Sequence, residues 1–223
     1  AQIVNVLYNL IDRIFIGHID QIGSLALTGV GVAMPLIMII SAFAALAAMG
    51  GAPRASIYLG KDDLKTAEKI LGNSFSLLLI ISLILSISVY ATLDKILILF
   101  GASENTLVYA RDYMKIYILG TVFVQLSIGL NAFITAQGFA KISMYTVCIG
   151  AVLNIVLDPI FIFVFKMGVK GAALATIISQ AVSAIWVLMF LRGENTILKL
   201  KKQNMKLEKD IILPSIALGA SPF

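Results

Sequence analysis

The sequence predicts an all-α, polytopic membrane protein, a six-helix transmembrane bundle. Three observations predict it. The chain of 223 residues is 60% hydrophobic and 13% charged, with a mean hydropathy of +0.98. A soluble domain of this size carries roughly 25% charged residues. Its apolar side chains exceed what one core can bury, so lipid is the expected solvent. They also arrive in runs near the ~20 residues a helix needs to cross a bilayer. Finally, the connections between the runs alternate in positive charge, as the two sides of a membrane require.

In chain order, the first run is residues 1–16 and the second about 25–48, with Pro35 inside it. The third is about 73–93. The fourth, about 107–135, opens on a mixed polar stretch (Arg111, Asp112, Lys115) expected at the interface. The fifth is about 143–165, the sixth about 171–191, and a seventh begins near Ile211. Between the second and third runs, Lys61–Lys69 reads as a short amphipathic connecting helix. Asp62 or Asp63 is placed to cap it, since a carboxylate accepts from the free N–H groups of a first turn. Gly17 and the pair Gly50-Gly51 read as turn residues, and His18, the single histidine, as an interfacial one.

The net charge is +5, and in such a chain it reports topology rather than a nucleic-acid partner. Arg54, Lys61, Lys65, Lys69, Lys141, Arg192, Lys199, Lys201, Lys202, Lys206 and Lys209 fall on one side. Only Lys95, Arg111, Lys115, Lys166 and Lys170 fall on the other, and Arg13 sits within the first run. The richer side is expected in the cytoplasm together with the N-terminus, in a multi-pass protein of the cell membrane. Cys148 is the single cysteine, so neither a disulfide framework nor a Cys/His metal cluster arises. The chain opens inside an apolar helix without an initiator Met or a basic n-region, which does not read as a signal peptide. It ends just after an apolar run begins, and is expected to be part of a longer one.

An ionisable group at membrane depth costs at least ~2.5–3.5 kcal/mol on insertion scales, so it needs a reason. Asp12 and Asp158 are two such groups. Asn154 stands four residues before Asp158 and shares its helix face. Pro159 follows and cannot donate to the carbonyl of Ile155, so a kink is expected there. A bend with a freed carbonyl, an amide and a carboxylate suits a cation, and broken helices near the midplane mark transporter ion sites. Matching polar rows recur elsewhere: Asn5, Asn9 and Asp12 on the first helix, Ser127, Asn131 and Thr135 on the fourth, and Ala172, Thr176 and Gln180 on the sixth. Asn9, Asn131, Ala172 and Gln180 therefore join a candidate cavity. Each row also reads as helix–helix glue, in which such contacts average only ~0.6 kcal/mol. Tyr8, Tyr109, Tyr113 and Tyr117 read as interfacial or core aromatics. Nothing points to an enzyme: no nucleophile elbow, phosphate-binding glycine loop or metal-ligand spacing is present.

Leu7–His18 resembles the first helix of MATE (multidrug and toxic compound extrusion) transporters. Leu153-Asn154-Ile155-Val156-Leu157-Asp158-Pro159 resembles their fifth helix, and Gly168–Thr176 the entry to their sixth. Order and spacing of all three agree, over residues 1 to about 192. The resemblance implies twelve helices in two six-helix lobes. Residues 1–192 would be the N-terminal lobe, 193–210 a basic cytoplasmic loop between lobes, and 211–223 the start of the seventh helix, with the C-terminal lobe lying beyond. It also implies a secondary antiporter that exports small organic, often cationic, compounds in exchange for protons or sodium. Its N-lobe cation site falls on Asp12, Asn154, Asp158 and Thr176, and a fourth-helix asparagine falls on Asn131. Arg13 beside Asp12 is a departure, because that arginine is not general in the family.

No cofactor is expected beyond the coupling ion, H⁺ or a monovalent Na⁺ at those four residues. Oxygen ligands suit hard cations, and two carboxylates in a low dielectric suit a shared proton. Two alternatives stand beside the antiporter: a lipid-linked oligosaccharide flippase of the wider superfamily, and a non-transport structural membrane protein.

Overall fold

A computed structural model describes the backbone of residues 2–221 and the side chains of residues 10–221. Every regular element among them is helical. The order is α1 (Gln2–Gly17), α2 (Gly23–Gly60), α3 (Leu64–Leu99), α4 (Glu104–Leu119), α5 (Thr121–Ala136) and α6 (Ala140–Pro159). A π-helical turn (Ile160–Val164), α7 (Val169–Arg192), a short 3₁₀ turn (Lys202–Met205) and α8 (Lys209–Ala220) follow. α2, α3, α6 with its π turn, and α7 are each long and apolar enough to cross a membrane. α4 and α5 make a fifth crossing if their bent pair counts as one. α1 has 16 residues, short of a full ~20-residue crossing, so the expected six-helix count holds only approximately.

Several expectations are corrected. α2 and α3 run to 38 and 36 residues, far beyond the apolar runs that predict them. A helix satisfies its own backbone and needs no lipid to continue, so at about 1.5 Å per residue these outgrow a ~30 Å hydrocarbon core. The Lys61–Lys69 segment is no separate helix; most of it is the first turns of α3. Asp63 is the residue that caps it, with the Thr66 N–H donating to Oδ1 at 3.0 Å. The Thr66 side chain and N–H together hold the Asp63 carboxyl below its ordinary range. The fourth run is two helices bent by 60° around Gly120. A methyl group at Gly120 would land on the Ile177 side chain, so the bend packs where only a hydrogen fits.

Gly50 and Gly51 are likewise not turn residues; both lie inside α2. A Cβ on Gly51 would stand 2.6 Å from the Ser74 hydroxyl and 2.8 Å from the Phe133 ring, and one on Gly50 would strike the Ser215 carbonyl. Hydrophobic burial gives little drive to helix association in lipid, so small residues that let backbones approach take over that work.

The chain divides into two compact units. The first comprises Ala1–Ile39, Ile84–Thr121 and Val147–Val182; the second comprises Ile40–Leu83, Val122–Thr146 and Ser183–Phe223. The second is organised on an alanine face of α2 (Ala44, Ala47, Ala55) and on Leu71, Leu78, Phe133 and Leu191, all buried.

In that second unit the segment after α7 is docked. Gln137 Oε1 accepts from the Thr196 hydroxyl and from the N–H groups of Ile197 and Leu198, each at 2.8 Å. Glu68 accepts from the Lys199 N–H at 3.3 Å and from Lys201 Nζ at 2.6 Å. Asn73 accepts from the Glu208 N–H at 2.7 Å and donates to the Asn204 carbonyl at 3.2 Å. Gln137→Ala strands the N–H donors of Ile197 and Leu198, each worth about 1–3 kcal/mol when buried and unsatisfied, while the Thr196 hydroxyl keeps the Leu198 carbonyl at 3.0 Å. The expected result is release of this segment, read as rapid tryptic cleavage after Lys199, Lys201 or Lys202. Gln137→Glu, which keeps the acceptor, should stay resistant; equal resistance of the alanine variant would refute the docking role.

Candidate functional site

The first unit builds its site from four helices. Asp158 lies in the last turn of α6, which ends on Pro159 with no N–H to give, and the backbone then shifts to π-helical bonding, the Phe165 N–H donating to the Ile160 carbonyl at 2.9 Å. The irregularity that follows Pro159 is a π turn, and α6 with this turn runs on as one span; such π distortions are frequent at functional sites. One turn earlier, Asn154 Nδ2 donates to Asp158 Oδ1 at 3.2 Å. Asp158 is fully buried and Asn154 nearly so.

Asp12 comes from the middle of α1, is 8% exposed, and lies in hydrogen-bonding contact with Asp158. Two ionised carboxylates only accept, so that contact is attractive only when a proton or a cation stands between them. Arg13 is close enough to act on Asp12 electrostatically, yet its own side chain is exposed. On α7, Thr176 donates to the Ala172 carbonyl at 3.0 Å. That leaves its oxygen to accept from the Tyr113 hydroxyl, which is within hydrogen-bonding contact. Tyr113, on α4, is buried near both carboxylates and stacks on Tyr117 with ring centroids 6.0 Å apart.

Three buried oxygens of this cluster have no hydrogen-bond donor: Asp12 Oδ1, Asn154 Oδ1 and Asp158 Oδ2. Leaving such atoms unsatisfied costs about 1–3 kcal/mol each, more when charged. Two carboxylates and an amide, all presenting bare oxygens, fit a hard monovalent cation or a proton. Among the described residues no group of three or more His, Cys, Asp or Glu is placed to hold a metal ion.

The structure thus brings Asp12, Asn154, Asp158 and Thr176 together. Ala172 sits beneath them as the acceptor for Thr176, and Gln180 lies half-buried one turn further along α7. The side chains of Asn5, Tyr8 and Asn9 lie outside the described residues. Asn131 belongs to the second unit. There it donates to the Ser143 carbonyl at 3.2 Å, while Thr135 donates to the Ser143 hydroxyl at 2.8 Å. These contacts join α5 to α6, and Asn131 Oδ1 is left buried without a hydrogen-bond partner. Tyr113 is the site residue that sequence reasoning passed over. The available signal was the four-residue spacing of Tyr109, Tyr113 and Tyr117, which lines polar-tipped rings along one helix face.

Fold and site together define a multi-pass helical membrane protein that holds a carboxylate pair within its bundle. The MatE family model matches residues 1–160, and the chain belongs to the MatE family. It is 30% identical over all 223 residues to the multidrug export protein MepA of Staphylococcus haemolyticus, covering 49% of that protein. It superposes on a solved MATE structure in the bent conformation with a TM-score of 0.90 and 28% identity, covering 97% of this chain and 48% of that one. A multidrug resistance MATE family transporter of the MOP superfamily, solved in an outward-facing conformation, matches with a TM-score of 0.90 and 27% identity, over 98% of this chain and 48% of that one. The chain spans about half the length of the curated relatives it matches.

Proposed function

We propose that this chain is the N-terminal lobe of a secondary antiporter, which exports small organic, often cationic, compounds in exchange for protons or sodium. The observation that carries the reading is the cluster of bare oxygens on Asp12, Asn154 and Asp158, buried at a π-helical break. A buried carboxylate pair is costly to keep in lipid unless something positive visits it. Thr176 and Tyr113 complete the shell, one through an oxygen and the other by orienting that oxygen. Residues 1–192 form the lobe, residues 193–210 join it to the second, and α8 opens the seventh helix. The N-terminus lies in the cytoplasm, as the positive charges of the connections direct. The relatives' names as multidrug export proteins support an exported drug or toxin as the substrate. Cation occupancy would bend α1 at its outer end and reshape the substrate pocket.

The test uses the full-length protein in proteoliposomes, with a pH gradient and a sodium gradient imposed separately while efflux of a fluorescent cationic drug is followed. One of the two gradients should drive efflux and so name the ion. Efflux indifferent to both would sink the reading.

A further inference from the structure

The first unit contains a cavity of about 560 Å³, lined by the α1–α2 turn, the start of α4, the π turn and the start of α7. Its lining follows or precedes the candidate cation site by four to seven residues on each of the four chain segments that build the site. Tyr109 is four residues before Tyr113, and Ile162 is four residues after Asp158. Ile19 is seven after Asp12, and Val169 is seven before Thr176. Within α4 and α7 four residues of helix rise about 6 Å and seven about 10 Å on one face, while Ile19 lies just past the end of α1 and Ile162 in the π turn that follows Asp158. The cavity therefore lies one to two turns beyond the carboxylates, on one side of all of them. Its lining belongs to the connections that carry fewer positive charges, the side read as external.

Between cavity and carboxylates the intervening turn is apolar. Ile16, one turn beyond Asp12, is fully buried, and Ile162 is 2% exposed. Phe15 and Phe163 meet edge to face at 6.2 Å, tying α1 to the π turn at the same level. The cavity wall itself is charged. It presents Asp20 and Asp112 with Lys166 and Lys170, and Lys170 Nζ lies 3.5 Å from Asp112 Oδ2.

We propose that this cavity is the external mouth through which the coupling cation reaches Asp12 and Asp158, and that Ile16 and Ile162 form the apolar barrier it must pass. The inference rests on the cation-site reading above. A narrow apolar constriction blocks ions until it wets or widens. Ile162 sits on the π turn that begins two residues after Asp158, so a change of hydrogen bonding at Asp158 acts directly on the barrier. Asp20 and Asp112 are balanced by Lys166 and Lys170, so the mouth holds charges of both signs, with Asp112 paired to Lys170.

Full-length protein whose native cysteines are replaced, Cys148→Ala among them, tests this with Ile19→Cys and Ile162→Cys. Each is treated from outside the vesicle with a membrane-impermeant cationic thiol reagent. Uptake of radioactive sodium and of protons is then measured. Leu99→Cys, exposed and outside the cavity, serves as control. A fixed positive charge in a charged entrance changes cation entry rates by 10-fold or more, so labelling at position 19 or 162 is expected to slow uptake roughly tenfold. An anionic reagent of the same size should slow it less, and the control should not respond. Modification without any loss of uptake, or modification only from the cytoplasmic side, would overturn the proposed route. Asp158→Asn run in parallel separates the two readings. If it stops uptake while the labelled variants are unaffected, the route falls and the site stands. If it leaves uptake at the wild-type rate, both fall.

Discussion

Asp158→Asn in the full-length protein is expected to abolish gradient-driven efflux while the protein still reaches the membrane in normal amount. The substitution keeps the shape of the side chain and an oxygen to accept from Asn154 Nδ2, so the α6 turn has no reason to unfold. What it removes is one of the two carboxyl groups between which a proton or a cation is held. The attraction of one carboxylate for a monovalent cation ~4 Å away is about 4 kcal/mol at an effective dielectric of about 20. In ion affinity that is a loss of roughly 100-fold or more. Asp12→Asn should act in the same direction. Efflux at the wild-type rate from Asp158→Asn would make Asp158 a structural hydrogen-bonding residue and leave Asp12 alone to carry coupling.

The second large effect is expected at Gly50. A single added methyl, Gly50→Ala, should destabilise the second unit and unseat α8. The Cβ would meet the Ser215 carbonyl and stand 2.8 Å from the Gly219 N–H, and Gly219 in turn presses on the backbone of Leu46. These are backbone atoms, so no rotamer change relieves the clash. Overpacking of this kind costs about 1–3 kcal/mol or more, and each kcal/mol lowers Tm by about 2–4 °C in a chain of this size. At Gly60 the space around a Cβ is open, so Gly60→Ala should leave Tm near wild type. Thermal unfolding in detergent compares the two, and equal Tm values would remove the close α2–α8 approach from the account of stability.

The candidate site was legible because the bilayer makes it so. In an apolar run, a carboxylate is conspicuous: Asp12 and Asp158 stand out where no surface-exposed pair would, and the four-residue spacing puts Asn154 on Asp158's face. Tyr113 was not legible in the same way. A tyrosine is at home in a core and at an interface, so its type carries no cost that demands explanation. Only the fold, by bringing α4 against α7, sets its hydroxyl beside Thr176. Asn131 shows the reverse case. It shares the composition and spacing of a ligand row, and in the second unit its amide donates to the Ser143 carbonyl while its oxygen has no hydrogen-bond partner.

By itself, then, the sequence determined the solvent, the approximate crossings and the depth of the charged groups, because each is a sum over transfer energies that composition and spacing report directly. It also determined the two carboxylates. Only the tertiary structure decided where helices end, that Gly50 and Gly51 are contact points rather than turns, that Asp63 is the cap, and that the segment after α7 is bound to the second unit through Gln137, Glu68 and Asn73. Those outcomes depend on which backbone comes within a methyl's width of another. The physical reason is that hydropathy acts residue by residue, while close approach and hydrogen-bond satisfaction are properties of pairs far apart in the chain.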